Sequence, residues 1–157
     1  FELLQHGQTD AVFQLESSGM KKLGINKDDK IGIVMPNSIE WYLVFWSAVR
    51  IGAQPAPIDP QSGTMELLQL LPSTNVKVCF AAEKYRSNNI IGAMQQVVPA
   101  EVALDKVVCF TENGTELAEP FISAEKFFSE YCGEECEEYI PGEDTYFSMR
   151  AFLNSSR

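Results

Sequence analysis

The stretch KIGIVMPNSIEWYLVFWSAVRIG, residues 30–52, carries the clearest structural signal in the chain. Its first part, IGIVM at residues 31–35, is a short apolar run of the kind found in strands buried on both faces of a sheet. A proline follows, and Asn37 or Ser38 can cap the helix predicted next. Gly52 stands where a left-handed C-terminal cap is expected. The stretch therefore predicts one strand–helix unit.

The unit is repeated directly downstream. A second strand is predicted at residues 54–58, where Pro55 and Pro57 lack the N–H needed in a central ladder. That strand should be short, irregular or at an edge. A helix follows, with Thr64 as its predicted cap, and Pro72-Ser73-Thr74 is predicted to end it.

Two further strands, VKVCFA at residues 76–81 and KVVCFT at residues 106–111, are separated by a predicted helix over residues 84–98. Alternation of strands and helices is typical of crossover units in a mostly parallel sheet. The fold class is therefore predicted to be α/β, with alternating strand–helix units forming a mostly parallel sheet flanked by helices.

After Thr111 the alternation loosens. ISAEKFFSEY is predicted to be a short helix capped by Ser123, and the carboxylate-rich run at residues 132–144 is predicted to be a solvated loop. No D-x-D-x-D-G frame fixes these carboxylates for calcium or magnesium. Asn113-Gly114-Thr115 fits the glycosylation pattern but is interpreted as a turn.

Composition narrows the class of protein. The chain has 157 residues, of which 45% are hydrophobic, enough for one domain with a core. A net charge of -10 with only 12 scattered Lys and Arg argues against nucleic-acid binding. Neither a run of roughly 18 apolar residues nor a signal-peptide pattern is present. The expectation is a cytoplasmic protein without a transmembrane segment.

The four cysteines fall into two kinds. Cys79 and Cys109 lie within apolar runs, where cysteine behaves as a small buried hydrophobe. Cys132 and Cys136 form C-x3-C, but no second pair exists and His6, the sole histidine, is distant in sequence. Zinc normally takes four such ligands, so the pair is interpreted as two thiols outside any metal site.

Residues 23–60, LGINKDDKIGIVMPNSIEWYLVFWSAVRIGAQPAPIDP, resemble the N-terminal part of the adenylate-forming acyl-CoA synthetase superfamily. They follow the family's order: a Gly-hydrophobic-x-Lys-Gly-Asp lead-in, a buried strand, an Asn-Ser helix start, and a helix closing on Gly-Ala. VRIGAQPAPID, residues 49–59, resembles the second core motif of adenylation domains. Asp28 stands where the family commonly has Gly. The resemblance extends to about Asp144.

The resemblance implies the incomplete N-terminal portion of a larger synthetase fold. Such enzymes activate a carboxylic acid, often a fatty acid, with ATP and magnesium, and most then transfer the acyl group to coenzyme A. Their phosphate loop would follow Glu143-Asp144, but residues 145–157 read TYFSMRAFLNSSR. No catalytic, cofactor-binding or metal-binding residue is therefore assigned. The chain alone is expected to bind none of these cofactors and to be inactive and poorly soluble.

Residues 1–22 carry a different resemblance, to a segment of the bacterial DNA polymerase III alpha subunit. The matching letters are Gly7, Thr9, Val12, Phe13, Gln14, Glu16, Ser17, Gly19 and Met20. From the residues alone, 11–23 are predicted to form an amphipathic helix with a face that includes Val12, Phe13, Leu15, Met20 and Leu23. The predicted division is a polymerase-like segment 1–22, a synthetase portion 23–149 and a divergent tail 150–157.

Three functional hypotheses follow. The first is a fragment of an acid–CoA ligase. In the second, the chain is a DNA polymerase III alpha fragment whose synthetase part is fused or misjoined near residue 23. The third is a non-catalytic α/β module that binds a partner through a sheet edge or its acidic loop.

Overall fold

The computed structural model describes residues 17–98, 100–111 and 117–131. Helix α1 covers residues 17–22 in the described part. The strands are β1 (Lys30–Val34), β2 (Gln54–Pro57), β3 (Val78–Ala82), β4 (Lys84–Tyr85), β5 (Asn88–Asn89), β6 (Lys106–Phe110) and β7 (Phe121–Ser123). The remaining helices are α2 (Ile39–Arg50), α3 (Thr64–Thr74), α4 (Ile90–Val97) and α5 (Ala124–Tyr131).

Five strands form one sheet in the order β2-β1-β3-β6-β7, and every neighbouring pair is parallel. The short strands β4 and β5 form a separate antiparallel hairpin. This arrangement confirms the predicted α/β class with a mostly parallel sheet. It also confirms that the proline-containing strand β2 lies at an edge.

A hydrophobic core covers each face of the sheet. On one face, α3 and α4 pack against side chains that include Cys79 and Cys109. On the other face, α1, α2 and α5 pack against Ile31, Ile33 and Phe80. Successive side chains of a strand point to opposite faces, so continuous apolar runs such as IGIV supply both cores.

Helix α2 begins and ends as its sequence predicts. Of the two candidate caps, Ser38 is the one used: its Oγ accepts a hydrogen bond from the Trp41 N–H at 3.2 Å. At the other end, Gly52 has a φ of 77°, the left-handed conformation that glycine adopts without a Cβ clash. Together these two residues fix the length of the helix.

The predicted helix over residues 84–98 is wrong over its first six residues. Residues 84–89 form the β4–β5 hairpin, and the helix is confined to Ile90–Val97. Arg86 has a φ of 54°, which a helix cannot accommodate, and Asn89 caps α4 by accepting from the Gly92 N–H. The Asn88 amide also donates to the carbonyls of Pro60 and Ser62. This tertiary contact holds the hairpin away from the helical path.

Two details of α3 correct the prediction. Gly63 is the N-cap and Thr64 is the first helical residue, and the Gly63 N–H donates to the Glu66 carboxylate at 3.2 Å. The helix also continues through Pro72 to Thr74 before Asn75, at a φ of 53°, ends it. Pro72 has no N–H to donate to the carbonyl of the preceding turn, so the helix continues through it with one backbone hydrogen bond fewer.

The C-terminal helix has its predicted cap, since the Ser123 Oγ accepts from the Lys126 N–H at 3.2 Å. Strand β7, which directly precedes it, was not predicted. Several expectations lie outside the described residues: the Asn113-Gly114-Thr115 turn, the Cys132–Cys136 pair, the acidic loop at 132–144, the tail, and the helix before Ser17. Within the described residues, no helix is long and apolar enough to cross a membrane.

Candidate functional site

The carboxyl ends of the central strands β1, β3 and β6 lie together at one edge of the sheet. From β1 the chain proceeds to β2 on one side, whereas from β3 it proceeds to β6 on the other. Connections that diverge in this way leave a crevice between the strand ends. In open α/β sheets, ligands characteristically bind at such a point.

A cleft of about 510 Å³ occupies this position. Its walls come from the ends of β3 and β6, from the residues that follow β1, β3 and β6, from the start of α2, and from α5. The lining residues are Met35, Pro36, Ser38, Glu40, Ala82, Glu83, Lys84, Phe110, Thr111, Ala124, Glu125 and Phe128. Its size falls in the range of small-molecule sites.

The lining of the cleft combines apolar and acidic side chains. Phe110 and Phe128 meet edge to face at 6.4 Å, so β6 and α5 close one wall with aromatic rings. Glu83 is held at the end of β3, because its N–H donates to the Phe110 carbonyl and its own carbonyl accepts from the Ile91 N–H. Glu40 and Glu125, which also line the cleft, lie in the first turns of α2 and α5.

This lining does not fit the phosphates of ATP. Among the residues that the structure describes, the lining has three carboxylates and one ammonium, that of Lys84, whereas phosphate sites need converging N–H groups and cations. Among the described residues, no group of three His, Cys, Asp or Glu side chains could hold a metal ion. The cleft can therefore accommodate an apolar group, and the lining residues that the structure describes do not supply a phosphate site.

The two described cysteines are core residues, as predicted. Burial raises the pKa of both the Cys79 and the Cys109 thiol to about 12. The thiolate is the reactive form of cysteine, so neither side chain can act as a nucleophile near neutral pH.

At the opposite edge of the sheet, a polar network joins the loop before β1 to the loop before β3. The Lys77 ammonium donates to the Gly24 carbonyl at 2.6 Å and to the Asp29 carboxylate at 3.2 Å. The Asn26 N–H donates to the same carboxylate oxygen at 2.8 Å. This N–H, followed by Lys77, lowers the pKa of Asp29 against the opposing effect of desolvation. The network is at the amino ends of the strands, and its contacts are structural.

Sequence reasoning assigned no site residue, and it did not identify the cleft. The available signal was the position of the lining residues, since Met35-Pro36, Ala82 to Lys84, and Phe110-Thr111 each lie at or directly after the end of a predicted strand. What the sequence did not provide was the strand order. In the sheet, β3 lies next to β1 and β6 lies next to β3, and this order brings the three segments to one crevice.

Comparison with known proteins gives a family match over residues 6–149, to the family described as AMP-binding enzyme. The match begins inside the segment that resembles DNA polymerase III, and the comparisons do not support the polymerase relationship. The predicted boundary near residue 23 stays a prediction.

Individual proteins are also similar to parts of this chain. The 4-coumarate–CoA ligase 3 of Arabidopsis thaliana is 34% identical over 80 residues, which are 51% of this chain and 14% of the relative. The solved long-chain-fatty-acid–CoA ligase FadD1 of Archaeoglobus fulgidus superposes with a TM-score of 0.67 at 20% identity, covering 85% of this chain and 24% of that one. The anthranilate–CoA ligase AuaEII, solved with anthranoyl-AMP, gives a TM-score of 0.67 at 16% identity, over 84% and 24%. The chain thus spans a quarter or less of these relatives' length.

Proposed function

The chain belongs to the AMP-binding enzyme family, and from this premise we propose that it forms the N-terminal part of an acid–CoA ligase. In the parent reaction, the carboxylate attacks ATP to form an acyl-adenylate and releases pyrophosphate; the thiol of coenzyme A then takes the acyl group and releases AMP. The observation that carries the proposal is the family match over residues 6–149, together with the parallel sheet shared with solved ligases.

Within such an enzyme, the described residues would act as a scaffold. Two hydrophobic cores hold the sheet rigid, and the crevice at its carboxyl edge presents an apolar cleft. ATP and magnesium would bind elsewhere, since the acidic lining does not fit phosphates. We further propose that the 157 residues alone do not catalyse adenylation, because the stretch after Asp144 lacks a Gly/Ser/Thr-rich phosphate loop.

The class of carboxylic acid substrate is a further part of the proposal. The names of the relatives include 4-coumarate, anthranilate and long-chain fatty acids, which share a carboxylate attached to a largely apolar body. An apolar carboxylic acid is therefore the proposed substrate class, and fatty acids are the first members to test.

Two experiments test the proposal. The first is one continuous nucleic-acid sequence read that covers codon 23 and extends past codon 157, and the second is an assay of pyrophosphate exchange into ATP. We expect the reading frame, or an adjacent one after Met149, to continue into a Gly/Ser/Thr-rich loop followed by Lys. The extended product should exchange pyrophosphate into ATP in an acid-dependent manner, whereas the 157-residue chain should not. Unrelated coding sequence past codon 157, or exchange by the short chain, would contradict the proposal. A read that does not continue across codon 23 would show that the two parts of the sequence were misjoined there during sequence assembly.

A further inference from the structure

No further inference is drawn: the strongest candidate, the exposed apolar face of helix α2 that carries Ile39, Tyr42 and Trp46, is left uncovered by the residues that the structure describes, and nothing in the structure shows what covers it.

Discussion

A Cβ atom on Gly32 would lie 2.5 Å from the Sγ of Cys79. The two residues are direct neighbours in the register of β1 and β3, in the centre of the sheet. The space that a side chain at residue 32 would occupy is thus filled from the neighbouring strand. Glycine at this position is a packing requirement rather than a conformational one.

We therefore expect Gly32→Ala to lower the free energy of unfolding by about 1–3 kcal/mol, as overpacking does in other cores. In a Cys79→Ala background the clashing sulfur is absent, so the same substitution should cost clearly less. Urea denaturation of the four proteins of this double-mutant cycle gives the coupling. Equal costs in both backgrounds would show that the Cys79 sulfur is not the obstacle.

The cap of α2 gives a second prediction. Ser38→Ala removes the acceptor for the Trp41 N–H and should cost about 1 kcal/mol. Asn37→Ala, one residue earlier and at an exposed position, is the matched control and should change stability little. A larger effect at residue 37 than at residue 38 in thermal or urea unfolding would contradict this cap assignment.

Asp28 has a φ of 69°, and it stands where acyl-CoA synthetases commonly have Gly. A residue with a Cβ is strained in the left-handed region, so Asp28→Gly should raise the free energy of unfolding by about 0.5 kcal/mol. The hydrogen bond from its N–H to the Gly52 carbonyl is kept. Lys27→Gly, at a neighbouring residue without positive φ, should instead destabilise the chain. Urea denaturation of both variants measures the effect. If the midpoints of Asp28→Gly and Lys27→Gly shift in the same direction, backbone strain at Asp28 is not the cause.

Acid stability should depend on the network around Asp29. Since the Asn26 N–H, followed by Lys77, lowers the pKa of this carboxyl, the folded state favours the charged form. The resulting stabilisation is complete above the pKa of an unfolded aspartate, about 4, and is lost as pH falls through the lower folded pKa. Asp29→Asn should flatten the pH dependence of the urea midpoint in this window, and Lys77→Met should flatten it partly. An unchanged slope in Asp29→Asn would show that another carboxyl is responsible.

The sequence predicted those parts of the fold that depend on local apolar runs. IGIVM, VKVCFA and KVVCFT are strands because a sheet covered on both faces needs continuous apolar residues. The hairpin at residues 84–89 was missed, since it depends on Asn88 reaching the carbonyls of Pro60 and Ser62, a contact about 26 residues away in the chain. Strand β7 was missed because three residues carry too little periodicity. The cleft depends on the strand order, which no local pattern contains.

Strand β2 has a consequence for how the sheet can grow. The N–H groups of Gln54 and Ile58 donate inward to β1, so the intervening Pro55 and Pro57 fall at the positions that would donate outward. Proline has no N–H, and this border of the sheet therefore offers an incoming strand no donors there. The β7 border, whose three residues include no proline, has no such block. Any strand that extends this sheet, in a longer enzyme or in an aggregate, should be added next to β7.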